Sequence, residues 1–188
     1  MDDQIGRARR SLLKAGMALA LAGLGSQPAF AAFAPDKAPV RTLDLFNLHT
    51  GESLSTTYWA DGNYLPQGLA EINHILRDHR NDHISPIAPR LLDLLHHLRG
   101  KLDTTMPFQI ISGYRSPETN SQLRESGTGV AKRSLHMEGM AIDLHVEGVA
   151  LEEIRRAAMA LRAGGVGYYP DSNFVHVDTG RVRSWQSS

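Results

Sequence analysis

Past residue 40, apolar positions recur with two spacings. Arg41 to Leu48 alternates apolar and polar residues, as a half-buried strand does. Thr50-Gly51-Glu52-Ser53 is a turn, and Leu54 to Trp59 returns as a second strand, so a β-hairpin is expected, ended by Asp61-Gly62-Asn63. Leu69, Ile72, Leu76 and His79 then fall on one helical stripe, which predicts a helix over Pro66 to His79. Leu91, Leu94, Leu95, Leu98 and Leu102 mark the core face of a second helix after Pro89. Met106 to Ser112 reads as a strand. Ser116-Pro117 is a helix start, serine as cap and proline at the first helical position, and that helix runs to about Glu125. A polar, glycine-containing loop, Ser126 to Arg133, leads to a strand over Met140 to Val146. Leu151, Ile154, Ala157, Ala158 and Leu161 form a last helical stripe, closed by Gly164-Gly165. Val166 to Tyr169 and Phe174 to Asp178 are the final predicted strands. Strands and helices mix without a regular βαβ repeat. The expected fold is therefore α+β: one domain, residues 41–180, with a small, mainly antiparallel sheet packed by helices. Residues 181–188 read as a loose tail.

The residues before the first strand follow a different logic. Arg9-Arg10-Ser11-Leu12-Leu13-Lys14 precedes an apolar run from Ala15 to Leu24, and Ala29-Phe30-Ala31 is a small-x-small cleavage pattern. The run is short of the ~20 apolar residues that a membrane span needs. Residues 1–31 thus read as a twin-arginine signal peptide and 32–40 as a proline-bearing linker. The expected destination is the periplasm, with membrane contact only through an uncleaved signal. Export of the folded protein would suit a chain that acquires a metal before crossing.

Composition narrows the chemistry. The 188 residues carry a formal net charge of +0, which offers no electrostatic footprint for nucleic acid. There is no cysteine, so thiolate metal sites, disulfides and a cysteine nucleophile are excluded together. Nine histidines remain for nitrogen ligation. A monomer is expected.

Side chains alternate along strands. Ile142, Leu144 and Val146 share one face of their strand, while Asp143 and His145 share the other. Val175 and Val177 point one way, and Phe174, His176 and Asp178 the opposite way. If the two strands are neighbours, Asp143 and His176 converge. His136 lies just before its strand, with Gly139 to fold the chain back. Two imidazoles and one carboxylate are a three-ligand set for catalytic zinc with one position open. Any one of these residues alone is more often an ordinary surface group; the weight lies in the pattern. His79 and His83, and His96 and His97 on the leucine helix, read as solvent-edge histidines. Gly164 to Gly167 follows a helix and lacks Gly-Lys-Ser/Thr, so it is no phosphate loop. Tyr168, Tyr169 and Trp59 are candidates to line a peptide groove or to fill core.

The phrase Ser134-Leu135-His136-Met137-Glu138-Gly139-Met140-Ala141-Ile142-Asp143, followed by His176 in a late strand, resembles the zinc D-alanyl-D-alanine peptidases of bacterial cell walls. That group includes VanX-like dipeptidases and phage endolysin peptidases and shares its fold with the Hedgehog signalling domain. Ser112 to Ser116 matches the family's arginine motif, and the resemblance covers roughly Phe108 to Gly180. With Asn47 to Glu52 and Gly164 to Pro170 included, the chain is similar over nearly its whole length to a twin-arginine-exported murein endopeptidase branch. The resemblance implies zinc on His136, Asp143 and His176, with Arg115 gripping a substrate oxygen and steadying the developing oxyanion. It makes Ser134 a residue that supports a ligand or contacts substrate, and peptidoglycan stems the partner; of the groove candidates, Tyr168 is the one expected to bind substrate. The branch implies L,D-cleavage of 3-3 links; a D,D-peptidase and a wall-binding protein without turnover are the alternatives. Many family members carry an acidic general base three residues before the last histidine. Here that residue is Asn173, whose amide cannot take a proton. Asp178 and His145 are the candidates for the base or for the group that orients a ligand imidazole.

Overall fold

The computed structural model describes residues 38–127 and 130–187, so the expected signal peptide and most of the linker lie outside the described residues. Among these residues, no helix is long and apolar enough to cross a membrane.

An eight-stranded mixed sheet and four helices make an α+β fold. The strands are β1 (Val40–Asn47), β2 (Ser53–Ala60), β3 (Asn63–Tyr64), β4 (Phe108–Ser112), β5 (Ala141–Val146), β6 (Gly165–Tyr169), β7 (Phe174–Asp178) and β8 (Arg183–Gln186). Their order across the sheet is β3-β2-β1-β4-β5-β7-β6-β8. β1 with β4 and β6 with β8 run parallel, and the other neighbours antiparallel. The helices are α1 (Pro66–Ile75), α2 (Pro89–Leu102), α3 (Pro117–Glu125) and α4 (Leu151–Leu161).

The core follows the apolar stripes. Leu91, Leu92, Leu95 and Leu98 of α2 are fully enclosed with Ile154 of α4 and with Ile142 and Leu144 of β5. That face of β5 is committed to the interior, which leaves Asp143 and His145 for the other. α3 begins as its sequence dictates: the Ser116 hydroxyl accepts the Thr119 N–H at 3.2 Å, with Pro117 in the first turn.

Three elements differ from expectation. α1 stops at Ile75 rather than His79. The Leu76 carbonyl is taken by the Tyr114 N–H at 2.7 Å, so a tertiary partner replaces the next helical turn. Tyr64 and Asn63 add the short strand β3 beside β2. The expected loose tail instead contains β8, which pairs with β6 in the register Gly165↔Arg183 and Gly167↔Trp185.

Candidate metal centre

The site is assembled at the centre of the sheet. β5 and β7 pair so that Asp143 sits directly opposite His176 and Ala141 opposite Asp178. A register shift between Ile110 and Ser112 in β4 places Ser112 against Asp143 from the other side. Bulges of this kind are over-represented beside active sites because they re-aim side chains. His136 arrives from a single 3-10 turn, Leu135–Glu138. Gly139 ends it at φ +62°, and a β-carbon there would collide with the Pro86 carbonyl, so only glycine lets the chain turn so tightly.

His136 is oriented by a second segment. Its Nδ1 lies 2.7 Å from the Gly113 carbonyl, which can only accept, so Nδ1 carries the proton and Nε2 presents a lone pair. The Arg115 N–H donates back to the His136 carbonyl at 3.1 Å. The same arm is anchored by Tyr114 on Leu76 and by the Ser116 N–H on Asp78 Oδ2 at 2.9 Å. Arg115 is therefore delivered with the ligand turn. Its Nη2 lies 3.3 Å from Ser112 Oγ and 3.9 Å from Asp143 Oδ2.

Three donor atoms meet at one point. His136 Nε2 is 3.2 Å from His176 Nδ1 and 3.3 Å from Asp143 Oδ1, and His176 Nδ1 is 2.8 Å from Asp143 Oδ1. Bonds of ~2.0–2.1 Å in a tetrahedron put ligand atoms about 3.3–3.4 Å apart. Two nitrogens and one oxygen at nearly that spacing fit a zinc ion with one position open. Among the described residues, these three form the group able to hold a metal.

Asp178 completes the arrangement from behind. Its Oδ2 accepts from His176 Nε2 at 3.1 Å, which turns the Nδ1 lone pair of a neutral ring toward Asp143 and His136. Asp178 Oδ1 accepts the Gly165 and Gly180 N–H groups at 2.9 and 2.8 Å, and the Arg183 fork spans both oxygens at 3.1 and 2.7 Å. Burial works against ionisation of Asp143, but the two imidazoles overcome it and hold its carboxyl far below the usual range. Burial likewise opposes Asp178, and His176, Arg183 and the Gly165 N–H keep it ionised. Burial favours neutral His176, yet Asp143 and Asp178 together push it up to about 9.

The centre opens into a cleft of about 510 Å³. Arg115, Ser134 and Asp178 line it. Tyr168 does not: it packs on the core, under the Arg155 guanidinium at 5.0 Å, while Tyr169 faces the cleft. Because β6 begins at Gly165, residues 165, 167 and 169 share the cleft face, and period-two counting from that glycine selects Tyr169. Trp59 packs edge-on against Tyr64 at 4.8 Å, on strands remote from the ligands. His145 shares the face of Asp143 but lies opposite Gln109 and outside the cleft. Asp178 reaches the cleft with its oxygens already engaged, so it is built to orient His176 rather than to collect a proton. Asn173 occupies the β6–β7 turn at φ +54°, a left-handed backbone that asparagine tolerates, and it too lies outside the cleft. Sequence reading missed Arg183 and Trp185, which line the cleft from β8. Their signal was the Gly165-x-Gly167 alternation, which leaves space on one face of β6.

The model of the family described as peptidoglycan L,D-endopeptidase MepK matches residues 36–185. The chain belongs to this family. The MepK of Escherichia coli K12 is 48% identical over 183 residues, spanning 97% of this chain and 100% of that protein. The probable peptidoglycan L,D-endopeptidase MepK of Haemophilus influenzae is 40% identical over 147 residues, 78% of this chain and 79% of that one. Among solved structures, the Serratia marcescens L-Ala D-Glu endopeptidase ChiX aligns with a TM-score of 0.33 at 19% identity, over 40% of this chain and 62% of its own, too slight a likeness to carry weight.

Proposed function

We propose that this chain is a zinc-dependent peptidoglycan endopeptidase of the periplasm that cuts the L,D bond between two meso-diaminopimelate residues in 3-3 cross-links. The observation that carries the reading is the convergence of His136 Nε2, Asp143 Oδ1 and His176 Nδ1 within one open cleft beside Arg115. The names of the MepK relatives support peptidoglycan as the substrate.

Zinc bound there would supply Lewis acidity toward the scissile carbonyl and a water that ionises near neutral pH. The chain's own residues do the remainder. Arg115, nine-tenths buried and tied to Ser112, presents a fixed cation beside the ligand carboxylate, placed to hold a carbonyl oxygen as it gains charge. Asp178 holds the tautomer of His176, and the Gly113 carbonyl holds that of His136. Ser134 and Tyr169 line the cleft where a peptide stem would lie. Residues 1–31 act as the twin-arginine signal, and lysine at both Arg9 and Arg10 should trap precursor in the cytoplasm.

One observation favours keeping a second reading. The cleft's carboxylates are a ligand, Asp143, and the fully engaged Asp178, so no side chain stands ready as the base that Asn173 replaces. A protein that binds zinc and wall peptide without turnover would look the same. Digestion of defined 3-3 and 4-3 linked muropeptides by purified protein, with and without chelator, tests both readings. Cleavage of the 3-3 species alone supports the L,D reading; 4-3 cleavage makes it a D,D-peptidase; binding without products leaves the wall-binding protein.

A further inference from the structure

We infer that strand β8 is a working part of the metal centre, and that its Arg183 is a positioning residue that locks the carboxylate orienting His176. The inference rests on the zinc reading above and deepens it.

The geometry runs outward from the ligand in three steps. His176 offers Nδ1 when its proton sits on Nε2, the tautomer that Asp178 Oδ2 favours at 3.1 Å. Asp178 is held in its plane by Arg183, whose two terminal nitrogens each take one oxygen, at 3.1 and 2.7 Å. A bidentate guanidinium–carboxylate pair fixes orientation as well as distance, which a point charge does not. Arg183 is itself aligned: its Nη1 donates to the Arg181 carbonyl at 3.0 Å, and its guanidinium stacks over Trp185 at 4.9 Å. Trp185 lies against the His176 ring at 5.3 Å and donates its indole N–H to the Tyr169 hydroxyl at 2.9 Å, so it limits rotation of the imidazole.

The opposite strand is shaped to receive this pair. Gly165 and Gly167 of β6 face Arg183 and Trp185 in register. A β-carbon at Gly165 would collide with Arg183 Nη1 and with Asp178 Oδ2, and one at Gly167 would come within 2.6 Å of the Trp185 ring. The glycine alternation thus has a use: it lets two large side chains lie across β6 and reach the ligand from behind.

The test compares the full chain with Arg183→Ala, Arg183→Lys and, as a control, Arg181→Ala. Zinc affinity is read by competition with a chromophoric chelator, and folding by the melting of the metal-free protein. Arg183→Ala should fold and bind zinc ~10–100-fold more weakly, the usual cost of losing an outer hydrogen-bonding partner. Lysine should recover part of the loss, and Arg181→Ala should match the parent. If the alanine variant does not fold, the lysine variant decides: weakened zinc supports the lock, and parental affinity overturns it. A folded Arg183→Ala with affinity within about twofold of the parent also overturns it, and so does an equal loss in Arg181→Ala, which would make the effect one of general charge. A parent that binds zinc but cuts no muropeptide ends the enzyme reading while leaving the lock to be judged by these affinities. A parent that binds no zinc sinks both.

Discussion

Two carboxylates at different places in the fold show what distinguishes a structural network from a site. Asp93, on α2, accepts from Arg41 at 2.7 Å and from the Tyr58 and Tyr64 hydroxyls at 3.1 and 2.6 Å. Burial, reinforced by Asp93, pushes the Tyr64 phenol up to about 12, so these groups stay donors. Every polar neighbour gives a hydrogen and the carboxylate takes it, so the network is closed. Asp143 has different company. The proton on His136 Nδ1 is spent on Gly113, leaving Nε2 as a lone pair aimed at His176 Nδ1 and Asp143 Oδ1. Without a metal the proton on His176 Nδ1 bridges to Asp143; with both rings neutral, three electron-rich atoms face one another across about 3 Å at the edge of a cleft, an arrangement suited to a cation. The lesson is that burial and hydrogen-bond count do not mark the site; the direction of the protons does.

The comparison can be broken most severely at Asp143. Asp143→Asn should leave zinc substoichiometric by metal analysis and abolish muropeptide hydrolysis, while the melting of metal-free protein stays cooperative. Retained metal with retained turnover would remove Asp143 from the ligand set. Arg115→Ala should keep the zinc and lose at least ~10²-fold in turnover, with lysine restoring only part of it. Full activity of the alanine variant would make Arg115 structural. At the closed network the pattern inverts. Asp93→Ala removes the acceptor shared by Arg41, Tyr58 and Tyr64 and should cost about 2–3 kcal/mol in denaturant unfolding, with zinc affinity unchanged. A loss of zinc there would mean that the two regions are coupled.

The smallest effect sharpens the comparison through pH. Held between two carboxylates, His176 keeps its proton up to about 9 when no metal is bound, against about 6.5 in an unfolded chain. Zinc must displace that proton, so its apparent affinity should rise with pH, by no more than about tenfold per unit, and level off near pH 9. The sign for folding is opposite. A raised histidine pKa stabilises fully below ~6.5 and is lost as pH rises through about 9, so metal-free protein should weaken over that window. Affinity that levels off near pH 6.5 would place His176 outside the paired-carboxylate environment.

Much of this was legible along the chain because it rests on local periodicity. The leucine stripe of α2, the Ser116-Pro117 start of α3 and the alternation in β5 and β7 each point one way, and Asp143 and His176 follow from the last two. The rest depends on partners distant in sequence. α1 ends early because Tyr114 captures the Leu76 carbonyl. β8 is four residues, Arg183–Gln186, without an apolar alternation, and it exists because β6 offers it an edge. Tyr169, rather than Tyr168, reaches the cleft because β6 starts at Gly165, a boundary that the helix-ending glycine pair obscures. His145 shares the correct face but sits one pleat too far along.

The sheet's outer strands carry one more consequence. An open sheet ends in two borders, and long flat borders recruit other chains into aggregates. Here one border is β8, four residues that include Arg183; at the other, β3 covers only Trp59 and Ala60 of β2, and helix α1 packs close against the Thr57 carbonyl. A short charged strand at one border and a packed helix at the other hinder another molecule from zipping on, so the eight strands make a poor template for polymerisation. Concentrated solutions of the protein should stay monodisperse in light scattering, and extending β8 with alternating valine and threonine should be the change that starts fibres.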